Sequence, residues 1–219
     1  GKYWNVSIKD WVHEDIGLGH MCKPLQDPHP TFAISAMSPF SSSHKYAAQQ
    51  DFDPISANFI GNWSVKSQWQ VYAEETEKQG RVADRERWRV ARNIFVAETD
   101  EEAEKHLKTV GESSDFYYEY LYKIFDRAQM KGPFVVNQGD DADALTYESL
   151  RDNYVIVGSP DTVVEKLLEF RDDVGHFGTL LHTAQDWVNP DDMKRSMSLL
   201  AEEVMPKLNS VIGAQSAAE

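Results

Sequence analysis

Four times along this chain a short run of β-prone, mostly apolar residues gives way to a turn and then to a helix-forming stretch. The runs are TFAISAM (31–37), PISANFI (54–60), RVARNIFVA (89–97) and the segment 179–183, TLLHT. Alternation of this kind restricts a chain to an α/β layer fold, because parallel strands need a long crossover and the crossover is usually a helix. The pattern therefore predicts four parallel strands. Four strands with a helix each make half of an eight-stranded (β/α)8 barrel, or a small open sheet.

The helices carry their own punctuation. One is expected over 41–50 and another over 62–79, with Trp63, Trp69, Tyr72 and Ala73 on one broad face. Thr99 and Glu102 form a T-x-x-E capping signal for a helical stretch that reaches about residue 130 and breaks at Gly111. Ser159, Pro160 and Asp161 give an N-cap, a proline at the first helical position and a dipole-matched acid. Val163, Val164, Leu167 and Leu168 are the buried stripe of that helix. A last helix starts at Asn189-Pro190-Asp191, carries Met193, Met197, Leu200, Val204 and Leu208 inward, and should fray after Gly213. Residues 13–30 read as irregular connection, and 131–153, rich in Gly and Asp, as a surface excursion of the kind that forms lids.

Composition narrows the function classes. At 219 residues, 41% hydrophobic, the chain is one domain or a large part of one, with material for a substantial core. A formal charge of −14 argues against a nucleic-acid partner, whose phosphates it would repel. No apolar run approaches the roughly 18 residues of a membrane span, and no signal-peptide pattern opens the chain. The single cysteine, Cys22, excludes an intrachain disulfide and fits a reducing, cytoplasmic compartment.

Two stretches could carry chemistry. After the first strand, Pro39 forces a break and Ser41, Ser42 and Ser43 open an Ala-rich helix. A helix start just past the carboxyl end of a buried strand is a ready anion site, and in α/β folds a cofactor phosphate tends to sit there. The same residues also read as a capped turn with no ligand. The second stretch, LLHTAQDW, leaves the last strand with His182, Thr183, Gln185, Asp186 and Trp187. Barrels place their chemistry at that end; a hydrophobic staple and a turn former are the plainer alternatives. His13, His20, Glu14, Asp15 and Cys22 match no regular metal-ligand spacing, so no metal is expected. Dinucleotide and Walker fingerprints are missing after every strand, and so is a G-x-S-x-G nucleophile.

Taken together, GKYWNV, KPLQDPHPTFAISAMSP, GRVADRERWRVARNIFVAETDEEA, VGSPDTVVEKLLEF and FGTLLHTAQDWVNPDDMKRSMSLLAEEVMP resemble the bacterial luciferase-like, flavin-dependent monooxygenases, in particular their limonene-monooxygenase-like branch. The resemblance runs in order over almost the whole chain. It implies a luciferase-like TIM barrel of which residues 1–219 form the C-terminal half, strands five to eight. It also implies reduced FMN and O2, a small terpene-like, ketone or aldehyde substrate, a flavin reductase as partner and a homodimer. The family's phosphate contacts fall on Met37, Ser38 and Ser41, with Ser42 beside them. Phe40 and the extra serines depart from the family pattern at this turn. The family's catalytic histidine belongs to an early strand, so no catalytic residue is carried over.

In the family GKYWNV stands mid-chain, so a preceding N-terminal half or a partner chain is expected to cover the sheet edges and inner positions such as Ile34, Ile55 and Ile94. A non-catalytic flavin-binding or interaction fragment, or F420-type hydride transfer, are the alternative readings.

Overall fold

Among the described residues five parallel strands, one more than the alternation predicts, build the sheet. β1 (Ala33–Ala36), β2 (Asp53–Ser56) and β3 (Arg89–Val96) pair in that order, and β4 (Val155–Gly158) and β5 (Thr179–His182) both pair with β3. β5 takes the first half of β3, up to the Arg92–His182 register pair, and β4 takes the second, from Asn93 to Val96. β4 is the strand that the four-strand sequence reading does not include. Four residues are too short to display a period, and they become a strand because the second half of β3 has backbone groups to satisfy.

The structure is a computed structural model and describes residues 4, 5, 7, 12–19, 24–27, 29–184 and 188–216. The chain divides into two units, 1–32 and 33–219. In the first, a 3-10 turn (Glu14–Ile16) is closed by an antiparallel bridge between His13 and Leu18. Gly17, at φ 66°, supplies the left-handed step. His20, Cys22 and most of the GKYWNV arm lie outside the described residues.

In the second unit α1 (Ser42–Gln50) and α2 (Asn62–Lys78) follow β1 and β2. Between β3 and β4 run α3 (Asp100–Lys108), α4 (Ser113–Arg127) and α5 (Tyr147–Tyr154). The Thr99 hydroxyl accepts from the Glu102 N–H to start α3, and the expected break falls between α3 and α4, where Gly111 has φ 84°. α6 (Pro160–Val174) joins β4 to β5, and α7 (Pro190–Leu199) and α8 (Met205–Ser216) close the described chain.

Strand alternation sorts the two faces of this wall. Ile34, Val90, Ile94, Val96 and Leu180 pack into the clusters formed with the helices. Ser35, Ile55, Ala91 and Leu181 turn to the opposite face. Of the three isoleucines expected inside, Ile55 is inside, whereas Ile34 and Ile94 face the helices. The centre of the helix side is aromatic: Trp69 of α2 stacks on fully buried Trp88 at 5.0 Å, and the Arg85 guanidinium lies 4.7 Å from the Trp69 ring. Burying one such side chain is worth about 1.5–3 kcal/mol.

Two further expectations change. The spacing 193, 197, 200, 204, 208 is interrupted by a π turn (Leu200–Val204), so Met193, Ser196, Leu199, Val204 and Leu208 are buried while Met197 is exposed. A π turn adds one residue to the helical repeat. Pro206 lies two residues beyond the turn and has no N–H to return to Glu202, which disfavours ordinary α bonding there. The excursion 131–153 is also less superficial than its composition suggests. Phe134, Val135 and Leu150 are buried, Tyr154 donates to the Phe134 carbonyl at 2.7 Å, and Trp63 Nε1 donates to the Val135 carbonyl at 3.0 Å. A buried ion pair, Arg151–Asp115 at 2.7 Å, ties α5 to α4.

Candidate functional site

At the carboxyl ends of β1, β2 and β5 the inner face opens into a cleft of about 850 Å³. That volume lies in the range of cofactor and ligand sites. Its rim is the turn 37–43, and Met37, Ser38, Ser41 and Ser42 all line it, as do Phe40 and Ser43. Ser41 is the N-cap of α1: its hydroxyl accepts from the Ser43 N–H at 3.1 Å, and its carbonyl accepts from Lys45. The capped-turn reading is therefore correct as geometry. It leaves the Ser41 hydroxyl proton and the hydroxyls of Ser38 and Ser42 available to the cleft. The first turn of α1 holds no acidic residue, so nothing opposes an anion at its positive end.

α2 holds this turn in shape. Gln68 Nε2 donates to the Ser38 carbonyl at 2.9 Å, and Ser67 Oγ accepts from the Phe40 N–H at 3.0 Å. The second bond secures Phe40 at φ 49°, a conformation that costs a non-glycine residue. Beneath the turn His44 is fully buried, with Nε2 3.0 Å from the Ile55 carbonyl; burial holds its pKa below the ordinary histidine value.

Beside the cleft a polar network crosses β3. Asn58, in the loop after β2, donates to Asn93 Oδ1, which also accepts from Tyr118 at 3.1 Å. Asn93 Nδ2 donates to the Thr183 carbonyl at 2.9 Å. On the other face of β3, Arg92 is buried over the Phe170 ring at 4.2 Å. It donates to the Ala57 carbonyl and to Asn62 Oδ1, which shapes the loop that carries Asn58. Burial pushes the Arg92 guanidinium down to about 10.

His182 does not line the cleft. Its strand neighbours Leu181 and Thr183 do, and alternation turns His182 to the helix side, where burial lowers its pKa. Gln185 and Trp187 lie outside the described residues. Sequence reasoning missed Gln68, Ser67, Asn58 and Asn93. Asn93 carried one signal, since asparagine is depleted within strands and this one sits in the middle of a β-prone run. Among the described residues no cluster of His, Cys, Asp and Glu could hold a metal ion, and no helix is long and apolar enough to cross a membrane.

A parallel strand–helix wall with a serine-lined helix start at its carboxyl end is an architecture shared by many phosphate-binding α/β proteins, and comparison identifies which class this is: the chain belongs to the luciferase-like, flavin-dependent monooxygenase family. It is similar to 3,6-diketocamphane 1,6-monooxygenase of Pseudomonas putida, with 33% identity over 214 residues, 95% of this chain and 56% of that protein. Limonene 1,2-monooxygenase of Rhodococcus erythropolis is 24% identical over 71% of this chain and 38% of its own length. Among solved structures, the oxygenating constituent of 3,6-diketocamphane monooxygenase from P. putida, in complex with FMN, superimposes with a TM-score of 0.76 at 31% identity. That match covers 95% of this chain and 57% of the other. No family model matches the chain. The chain thus spans about half the length of the diketocamphane relative.

Proposed function

We propose that this chain forms the phosphate-binding part of an FMN-dependent monooxygenase that oxygenates a small terpene-like ketone or aldehyde. One observation carries the reading: serine hydroxyls and the first turn of α1 converge on an 850 Å³ cleft, in a chain 31% identical to a protein solved with FMN. The donor set fits the group. Ser38, Ser41 and Ser42 would hold the phosphate, with Met37 beside them, and the aliphatic positions Ile55, Ala57, Ala91 and Leu181 suit a flat aromatic ring. Bound FMN, once reduced, supplies the electrons that activate O2. The chain's own residues bind and orient: α2 fixes the serine turn, and the apolar wall keeps water from the ring. Gln185 and Trp187, just beyond β5, belong to this reading as substrate contacts.

A flavin reductase as electron source and homodimeric assembly complete the reading and rest on the family resemblance. A cytoplasmic location rests on the lone cysteine as well. The alternative reading is a flavin-binding fragment without catalysis. The test supplies the protein with O2, FMN, a flavin reductase, a reduced nicotinamide as its electron donor, and diketocamphane. The proposal expects a product heavier by one oxygen atom. Flavin binding without product would leave the non-catalytic reading, and no flavin binding would overturn both.

A further inference from the structure

Thr183 stands at the end of β5, lines the cleft and has its backbone held at both ends. Its N–H donates to the Arg92 carbonyl at 3.0 Å, and its own carbonyl accepts from Asn93 Nδ2 at 2.9 Å. Asn93 is itself saturated by Asn58 and Tyr118, so residue 183 is positioned by a buried network that crosses from the β2 loop through β3 to α4. Yet Thr183 Oγ1 is buried and has no hydrogen-bond partner among the described residues. A buried hydroxyl without a partner costs about 1–3 kcal/mol, so a rigid network that maintains one points to a group that arrives later. The other orphaned atoms differ: Ser64 Oγ, Gln68 Oε1, Glu112 Oε2 and the His182 ring belong to residues that do not line this cleft.

Leu181, Ala91, Ile55 and Ala57 make this part of the lining largely aliphatic, and the polar Asn58 among them is already bonded to Asn93. One hydroxyl in such a setting matches one oxygen on an apolar body. We propose that Thr183 Oγ1 donates a hydrogen bond to a carbonyl oxygen bound in the cleft, with Asn93 as its positioning residue. The inference rests on the flavin monooxygenase reading and deepens it, since both a flavin ring and a ketone substrate carry such an oxygen.

The experiment compares wild type, Thr183→Val and Thr183→Ser, each first checked for a cooperative melt. FMN is titrated by flavin fluorescence and by its visible band. Diketocamphane and limonene, a hydrocarbon with no oxygen, are then titrated with and without FMN, read by tryptophan emission. Thr183→Val should weaken one carbonyl ligand about fivefold to tenfold, leave limonene unchanged, and be rescued by Thr183→Ser. A loss in the FMN titration assigns the oxygen to the flavin, and a loss confined to diketocamphane assigns it to the substrate. Equal losses for diketocamphane and limonene, no loss anywhere, or failure of serine to rescue would overturn the inference. An absence of FMN binding in wild type refutes the proposed function, while the flavin-free diketone titration still decides Thr183.

Discussion

Gln68 in the second turn of α2 donates its Nε2 hydrogen to the carbonyl of Ser38, 2.9 Å away and 30 residues earlier in the chain. This bond connects a helix that touches no ligand to the turn on which ligand binding is proposed to depend. It makes the shape of the serine turn a property of the β1–α1–β2–α2 unit rather than of the serines alone.

Gln68→Leu keeps the volume and removes the donor. Stability should change by less than about 1 kcal/mol, because the part-buried Ser38 carbonyl loses its donor while the unpartnered Gln68 Oε1 is removed as well. FMN affinity should fall severalfold in a variant that still melts cooperatively. Chemical denaturation and FMN fluorescence quenching on the same preparation check both; unchanged FMN affinity would detach α2 from the site.

Gly178, just before β5, is a steric requirement. A Cβ there would meet the Glu86 carbonyl oxygen at 2.0 Å, and the Gly178 N–H already donates to the Arg85 carbonyl at 2.9 Å. Backbone cannot yield as a flexible side chain can. Gly178→Ala should cost about 1–3 kcal/mol or more, as overpacking does. A thermal melt within one degree of wild type would contradict this contact.

Stability should depend on pH through buried histidines. His44, His106 and His182 all titrate below their ordinary value, chiefly because burial disfavours the charged ring. The unfolded chain then takes up protons first, near pH 6.5, so stability is full above that value and falls as pH drops through it toward the folded pKa values. Fully buried His44 alone can contribute a slope approaching 1.4 kcal/mol per pH unit. Denaturation between pH 7.5 and 5 should show a decline that His44→Gln makes shallower. A flat profile over that range would refute the burial argument.

Much of the fold is legible in the sequence because its signals are local. The Ser41 cap, the Thr99 cap and the alternating β3 run each act within a few residues, and helices and strands appear where those residues put them. What is illegible depends on distant partners. β4 is a strand only because β3 has bonding groups left over, and Met197 turns outward only because a π turn shifts the phase ahead of Pro206. At the site, the serine turn is visible as a helix start, whereas Gln68, Asn58 and Asn93 acquire their roles through bonds across 30 to 90 residues.

The central claim, a phosphate seat at the start of α1, is tested most directly by comparing FMN with riboflavin, which has the same ring and no phosphate, on wild type and Ser41→Asp. Aspartate is as good an N-cap as serine, so α1 should stay intact, but its charge repels a phosphate. Wild type should bind FMN at least about tenfold more tightly than riboflavin, from hydroxyl bonds to a charged group. Ser41→Asp should erase that preference while riboflavin affinity holds. Equal affinity of wild type for the two flavins, or an FMN preference that survives Ser41→Asp, would contradict the account.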